Sequence, residues 1–201
     1  MLAPLQREEV MESMGFFQRL LGAQKPVASK TEALFAISTA VITLQTSLAL
    51  EPTNEATICF KAIEAVRFDE LARDIRELLQ IRAKDTQSDM RTSTDELGYQ
   101  WVILKTQQFE DLVTTIHMIS EELKARGYGE QLLASAFKFR GEGRAVFWLY
   151  NYKRGRFYPF VPKGNQERDN AYELRLSTMM KREMPIEEEL ERWYALWGLP
   201  I

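Results

Sequence analysis

Between residues 132 and 161 three runs rich in aromatic and aliphatic side chains, 132–140, 145–152 and 156–161, are joined by Gly141-Glu142-Gly143 and Lys153-Arg154-Gly155. Joints this short leave no room for a crossover helix, so the three runs are predicted to form an antiparallel meander. The last two runs make a β-hairpin whose arms carry Trp148, Tyr150, Tyr152 and Tyr158 and whose tip is basic. A chain containing this unit must supply something to cover its apolar faces. The upstream sequence offers helices.

Residues 33–50 contain no charge, a length that raises the question of a membrane span. Ser38, Thr39, Thr43, Gln45, Thr46 and Ser47 make the stretch too polar for lipid, whereas Leu34, Ile37, Val41, Leu44 and Leu48 recur at helical spacing. It reads as a helix buried on most sides, ended by Glu51-Pro52-Thr53-Asn54 and followed by a short strand, 56–62, that holds Cys59. A second helix covers 68–83, with Leu71 and Ile75 on its apolar stripe. Residues 85–95 read as a polar strand or edge ribbon turning at Asp95-Glu96-Leu97-Gly98 into a strand at 99–104. Residues 109–126 form the clearest helix, striped by Phe109, Leu112, Val113, Ile116, Ile119 and Leu123 and stopped by Gly127. Asp169 or Asn170 can cap a helix carrying Tyr172, Leu174, Leu176 and Met180. Pro185 followed by Glu187, Glu188 and Glu189 predicts a last helix to Leu196, with Trp193 and Trp197 as a packing anchor.

The resulting fold class is α+β: an antiparallel sheet, with the C-terminal three-stranded meander, packed against several helices. Residues 1–29 form an N-terminal extension with a short amphipathic segment, and 30–201 a single domain with candidate halves at 30–105 and 106–201. Residues 33–62 and 111–140 both run helix, turn, strand and both contain a Phe-Lys pair, Phe60-Lys61 and Phe137-Lys138, an echo that a duplicated unit would explain.

Charge and cysteine content narrow the function. A net charge of -3 supplies no bulk attraction to phosphates, which argues against a nucleic-acid partner. A single cysteine excludes an intramolecular disulfide and favours the cytoplasm. The first thirteen residues carry four charges and no secretory signal. Lys138, Arg140, Arg144, Lys153, Arg154, Arg156 and Lys163 could form a basic rim interleaved with the meander aromatics. Of these, Tyr152, Lys153, Arg154, Arg156 and Tyr158 are candidates for a partner- or anion-binding site. Phe16, Phe17, Arg19, Leu20 and Leu21 are candidates for membrane or partner contact. His117, the lone histidine, lies beside the 109–126 stripe without a recognised ligand pattern around it. The alternatives to an interaction protein are an enzyme or ligand-binding domain with a site near His117, and an oligomerisation module using an exposed sheet edge. No metal, cofactor or catalytic residue is assigned from sequence, and the oligomeric state is left open.

Several strings together resemble one family: Met14-Gly15-Phe16-Phe17-Gln18-Arg19-Leu20-Leu21-Gly22, Phe109-Glu110-Asp111-Leu112-Val113-Thr114-Thr115-Ile116-His117-Met118, Gly129-Glu130-Gln131-Leu132-Leu133-Ala134, Tyr150-Asn151-Tyr152-Lys153-Arg154-Gly155-Arg156-Phe157-Tyr158-Pro159-Phe160, and Leu190-Glu191-Arg192-Trp193-Tyr194-Ala195-Leu196-Trp197-Gly198. They are similar to those of the PspA-associated protein PspAB family, over nearly the whole chain from Met14. Met14 is thereby a candidate start. The resemblance implies a cytoplasmic accessory or adaptor protein of a phage-shock-type envelope-stress module. Its expected partners are phage-shock protein A or an associated membrane zinc metalloprotease of the HtpX type, with peripheral contact at the inner membrane face. The family's motifs carry no known chemistry, so the resemblance transfers no catalytic residue.

Overall fold

The computed structural model describes residues 30–82 and 88–201. The amphipathic segment with Phe16, Phe17, Arg19, Leu20 and Leu21 lies outside them. Six strands build one antiparallel sheet: β1 (Glu51–Phe60), β2 (Asp89–Thr94), β3 (Gln100–Lys105), β4 (Leu132–Gly141), β5 (Arg144–Asn151) and β6 (Arg156–Phe160). Their order is β2-β3-β1-β4-β5-β6. The α+β class and the meander, β4-β5-β6, are both present. Glu142 and Gly143 turn β4 into β5 with φ of 51° and 75°, the left-handed pair that a two-residue hairpin of matching twist requires.

The centre of the sheet is the long-range pair β1-β4, in which Thr57 faces Ala136 and Ile58 faces Ser135. This pairing gives the sheet two covered faces. On one face Ala56, Ile58, Phe60, Phe137, Phe139, Trp148 and Tyr150 meet helices α1 (Ala36–Leu48), α2 (Ala65–Arg82), α3 (Phe109–Ala125) and α4 (Asn170–Met180). The predicted α3 stripe is buried throughout, and the Phe109 ring sits edge-on to Phe137 at 6.0 Å and Phe139 at 5.3 Å. Phe60 meets Phe68 of α2 at 5.8 Å. Asp169 caps α4 by accepting from the Tyr172 amide, as its position predicts. Ahead of α4 lies a two-stranded ribbon of β7 (Pro162–Gly164) and β8 (Glu167–Arg168).

The opposite face carries Thr57, Cys59, Ala134, Ala136, Leu149, Tyr158 and Phe160, and the C-terminal segment covers it. Here the expected last helix is corrected. Residues 185–187 run beside β6 instead, with the Phe157 amide donating to Pro185 O at 2.7 Å and the Glu187 amide to Phe157 O at 2.8 Å. Backbone groups committed to a strand cannot also close helical turns, and only a 3-10 turn at Leu190–Arg192 remains. From there the chain crosses the sheet: Trp193 stacks on Tyr158 at 6.3 Å, Trp197 meets Phe160 at 5.0 Å, and Arg91 of β2 donates to Pro200 O at 2.9 Å.

One further expectation changes. Glu51-Pro52-Thr53-Asn54 opens β1 rather than ending in a turn; α1 already stops at Ala49 (φ 50°), and a bulge between Pro52 and Ala56 absorbs the proline. The helix-strand echo is present as α1-β1 and α3-β4, but β5 lies beside β4 whereas β2 lies at the far edge from β1. The strands that follow the two stretches therefore differ in order.

Candidate functional site

The hairpin tip is built by Asn151. Its side-chain oxygen accepts from the amides of Lys153 and Arg154 at 3.0 and 3.3 Å, while its carbonyl accepts from the Gly155 amide at 2.7 Å. Gly155 sits at φ 68°, a conformation that favours glycine, and a Cβ there would lie 2.9 Å from Lys30 Cδ and push that side chain aside. Lys30 is pinned to the hairpin by its amide to Tyr152 O at 2.7 Å and by the Tyr150 hydroxyl to its own carbonyl at 3.0 Å. Arg154 pairs with the buried Glu187 at 3.1 Å and reaches Glu189 at 3.7 Å, and Arg156 donates to Ile186 O at 2.9 Å. The tip therefore gathers two roots: the residue from which the N-terminal extension departs, and the start of the C-terminal strap.

This arrangement redistributes the candidate residues. Lys153, Arg154 and Arg156 lie together at the tip. Burial lowers the Lys153 ammonium pKa from its ordinary value, Lys61 lowers it further and Glu130 opposes both. Tyr152 and Tyr158 are buried, as are Trp148 and Tyr150, so the aromatics do not interleave with the basic residues on a surface. Burial pushes both Tyr152 and Tyr158 hydroxyls well above the usual tyrosine range. Tyr152 shares a hydrogen bond with Ser135 at 2.8 Å under the helices. The wider rim is distributed among internal partners: Lys138 pairs with Glu55 at 2.8 Å, Arg144 and Lys163 with Asp169 at 3.1 and 3.5 Å. Arg144 also stacks on Tyr172 at 4.9 Å. Sequence reasoning missed Lys30 and Glu187. The Lys153-Arg154-Gly155 joint marked the turn, but nothing local marked what the turn would touch.

His117 projects from α3 with its ring 4.5 Å from Phe35, and its Nδ1 is buried without a hydrogen-bond partner among the described residues. One turn on, Glu121 accepts a very short hydrogen bond from Thr31 and pairs with Lys124 at 2.9 Å, contacts that hold its carboxyl below the usual range. Among the described residues no cluster of three or more His, Cys, Asp or Glu side chains is placed to hold a metal ion. A cavity of about 220 Å³ opens elsewhere, on the strap side of the β2-β3 edge, lined by Glu55, Asp89, Arg91, Ile103, Lys105 and Ile201.

The fold and the tip thus define an α+β protein organised on one antiparallel sheet, with helices on one face and its own strap on the other. The chain belongs to the PspAB family: the family model, described as PspA associated protein B, matches residues 14–201. That name implies association with PspA. No curated protein and no solved structure matches the chain. Among the described residues no helix is long and apolar enough to cross a membrane.

Proposed function

We propose that this protein is a non-enzymatic cytoplasmic adaptor of a phage-shock-type envelope-stress module, which binds PspA or a membrane-associated protease acting with it, at or near the inner membrane surface. The observation that supports this reading is the junction at the hairpin tip. Lys153, Arg154 and Arg156 belong to the turn whose Tyr152 carbonyl and Gly155 hold Lys30, and in sequence Lys30 follows the segment with Phe16, Phe17, Arg19, Leu20 and Leu21. A basic tip and an amphipathic sequence in one chain are a combination suited to a helical partner or an anionic lipid surface.

The test is pull-down with PspA together with flotation on anionic vesicles. Arg154 and Arg156 also hold the strap, so a triple alanine change at Lys153, Arg154 and Arg156 is paired with Lys153→Ala alone, with Phe17→Ser/Leu20→Ser, and with thermal melts of each. Loss of binding at an unchanged melting temperature supports the reading. Retention of both activities by all variants removes the tip and the segment from it. A second reading, an oligomerisation module, is favoured by β2, whose outer side meets no other strand among the described residues. Light scattering of the purified protein separates the two.

A further inference from the structure

The sheet ends differently at its two edges. Outside β6, residues 185–187 run alongside and Ile186 bridges Phe157, so the chain covers that edge itself. Outside β2 no strand pairs among the described residues. Open strand edges are ordinarily protected by proline, by a bulge or by charges that repel their own copies. Strand β2, Asp89-Met90-Arg91-Thr92-Ser93-Thr94, has no proline and pairs with β3 along its whole length in unbroken register. Its only charges are one acid and one base, two positions apart on the same face.

Those charges continue a pattern that crosses the sheet. Asp89 lies opposite Lys105 of β3, and Lys105 lies opposite Glu55 of β1. Glu55 pairs with Lys105 at 3.4 Å and with Lys138 of β4 at 2.8 Å. The row on the strap side therefore reads Lys138, Glu55, Lys105, Asp89, alternating in sign up to the edge. A strand added outside β2 extends the alternation by placing a cation opposite Asp89. Arg91 asks for an anion in the same way; it donates to Pro200 O at 2.9 Å, which uses only part of the guanidinium fork. Antiparallel pairing of β2 with its own copy about Met90 meets both demands. Asp89 then faces the partner's Arg91, Arg91 faces the partner's Asp89, and Met90, half-buried and packed on the core from the helix side, faces the partner's Met90. Opposite charges directly across an antiparallel pair favour it and like charges oppose it. A centre one residue further on would set Arg91 against its own copy, so sign selects the register.

We propose that β2 is a dimerisation edge, pairing antiparallel with β2 of a second copy of this chain about a two-fold axis at Met90, through reciprocal Asp89–Arg91 pairs. The dimer joins two six-stranded sheets into one and carries a hairpin tip at each outer edge. This inference rests on the oligomerisation reading and deepens it by naming the residues and the register.

The test is sedimentation of the full chain over a dilution series, with thermal melts of each variant. The parent is expected to dimerise. Asp89→Arg and Arg91→Asp each turn both reciprocal pairs into like charges, so either change should weaken self-association by at least about tenfold. Mixed in equal amounts, the two variants regain opposite charges across the edge and should form a heterodimer, which a folding defect or the lost Pro200 contact would not produce. Met90→Cys should form a disulfide between chains faster than Ser93→Cys, because Met90 meets itself whereas Ser93 lies about 20 Å from its own copy; Cys59 is buried. A parent that stays monomeric throughout overturns this inference and the oligomerisation reading together. A dimer indifferent to both charge changes, or one that cross-links no faster through position 90 than through 93, overturns this inference alone.

Discussion

Arg168 and Glu173 lock the ribbon, helix α4, strand β6 and the strap together, and separating them should be severe. Glu173 is 1% exposed; its carboxylate accepts from Val161 N at 2.7 Å and from Arg168 Nε at 2.8 Å. Arg168 also donates to Trp193 O at 2.6 Å and lies 5.4 Å from the Phe160 ring centre. Arg168→Leu leaves a buried carboxylate with one donor, a loss of about 3–5 kcal/mol. Arg168→Leu/Glu173→Gln leaves no orphaned charge and keeps an acceptor for Val161, so it should recover to within about 2 kcal/mol of the parent. pH supplies a second signature. Burial raises the Glu173 pKa above its ordinary 4.5 despite Arg168. A carboxyl with a raised folded pKa contributes stability that is fully present below its unfolded pKa and is lost as pH rises through the folded one. Without Arg168 to oppose burial, that window widens. The Arg168→Leu deficit should accordingly grow as pH rises above 4.5, the part that persists at acid pH being the lost bonds to Trp193 O and Pro159 O. Urea unfolding followed by tryptophan fluorescence at several pH values measures it. The reasoning fails if the single variant loses under about 1 kcal/mol, if its loss is flat with pH, or if the double variant is no more stable than the single one.

Other perturbations separate sterics, charge and burial. Gly141→Ala places a Cβ 2.6 Å from Leu50 Cδ2 and 2.7 Å from the Ala49 carbonyl oxygen, so it should cost about 3 kcal/mol. Gly143→Ala meets nothing within 4 Å and should cost only the left-handed penalty of about 1–2 kcal/mol; the opposite ranking in urea titrations would contradict the packing at this turn. Lys138 holds the Glu55 carboxyl below its ordinary 4.5, so Glu55 contributes stability above that value that is lost as pH falls through the lowered one. Glu55→Gln should therefore flatten acid unfolding below pH 5, opposite in sign to Glu173. Burial pushes the Cys59 thiol well above its ordinary 9.0. A thiol reagent at pH 8 should label it only at the rate of unfolding; fast labelling of the native protein would mean that the strap opens freely.

What local pattern decides, the sequence showed well. The α3 stripe could be read residue by residue because a 3.6-residue period has one apolar solution over seventeen positions. The meander was legible because its joints admit a single topology. Polar β2 was read as an edge, and its alternating exposure agrees. The misses are tertiary. Pro185 followed by three glutamates is a sound helix start, overridden when Ile186 pairs with Phe157, almost thirty residues away. Pro52 and Asn54 punctuate a loop by composition, yet β4 absorbs them in a bulge. The aromatic basic rim joined residues that the sheet separates. Once β1 pairs with β4, both faces of the meander are interior, and its rings are needed for the core.

The same pairing logic sorts the charges at the hairpin tip. Arg154 is 40% exposed at its side chain, but its partner Glu187 is 4% exposed. An anionic partner that drew Arg154 away would leave a buried carboxylate uncompensated, a cost of several kcal/mol that an exposed ion pair, worth about 1 kcal/mol or less, does not return. Arg156 is engaged with the Ile186 carbonyl at the same joint. Lys153 is different: it is half-buried near Lys61 and the exposed Glu130, and neutralising the repulsion between two nearby ammonium groups is favourable. A partner's negative charge is accommodated at Lys153 at lower cost than at either arginine. In the proposed reading Lys153 is the tip residue that takes a partner's negative charge, while Arg154 and Arg156 tie the tip to the start of the strap through Glu187 and Ile186.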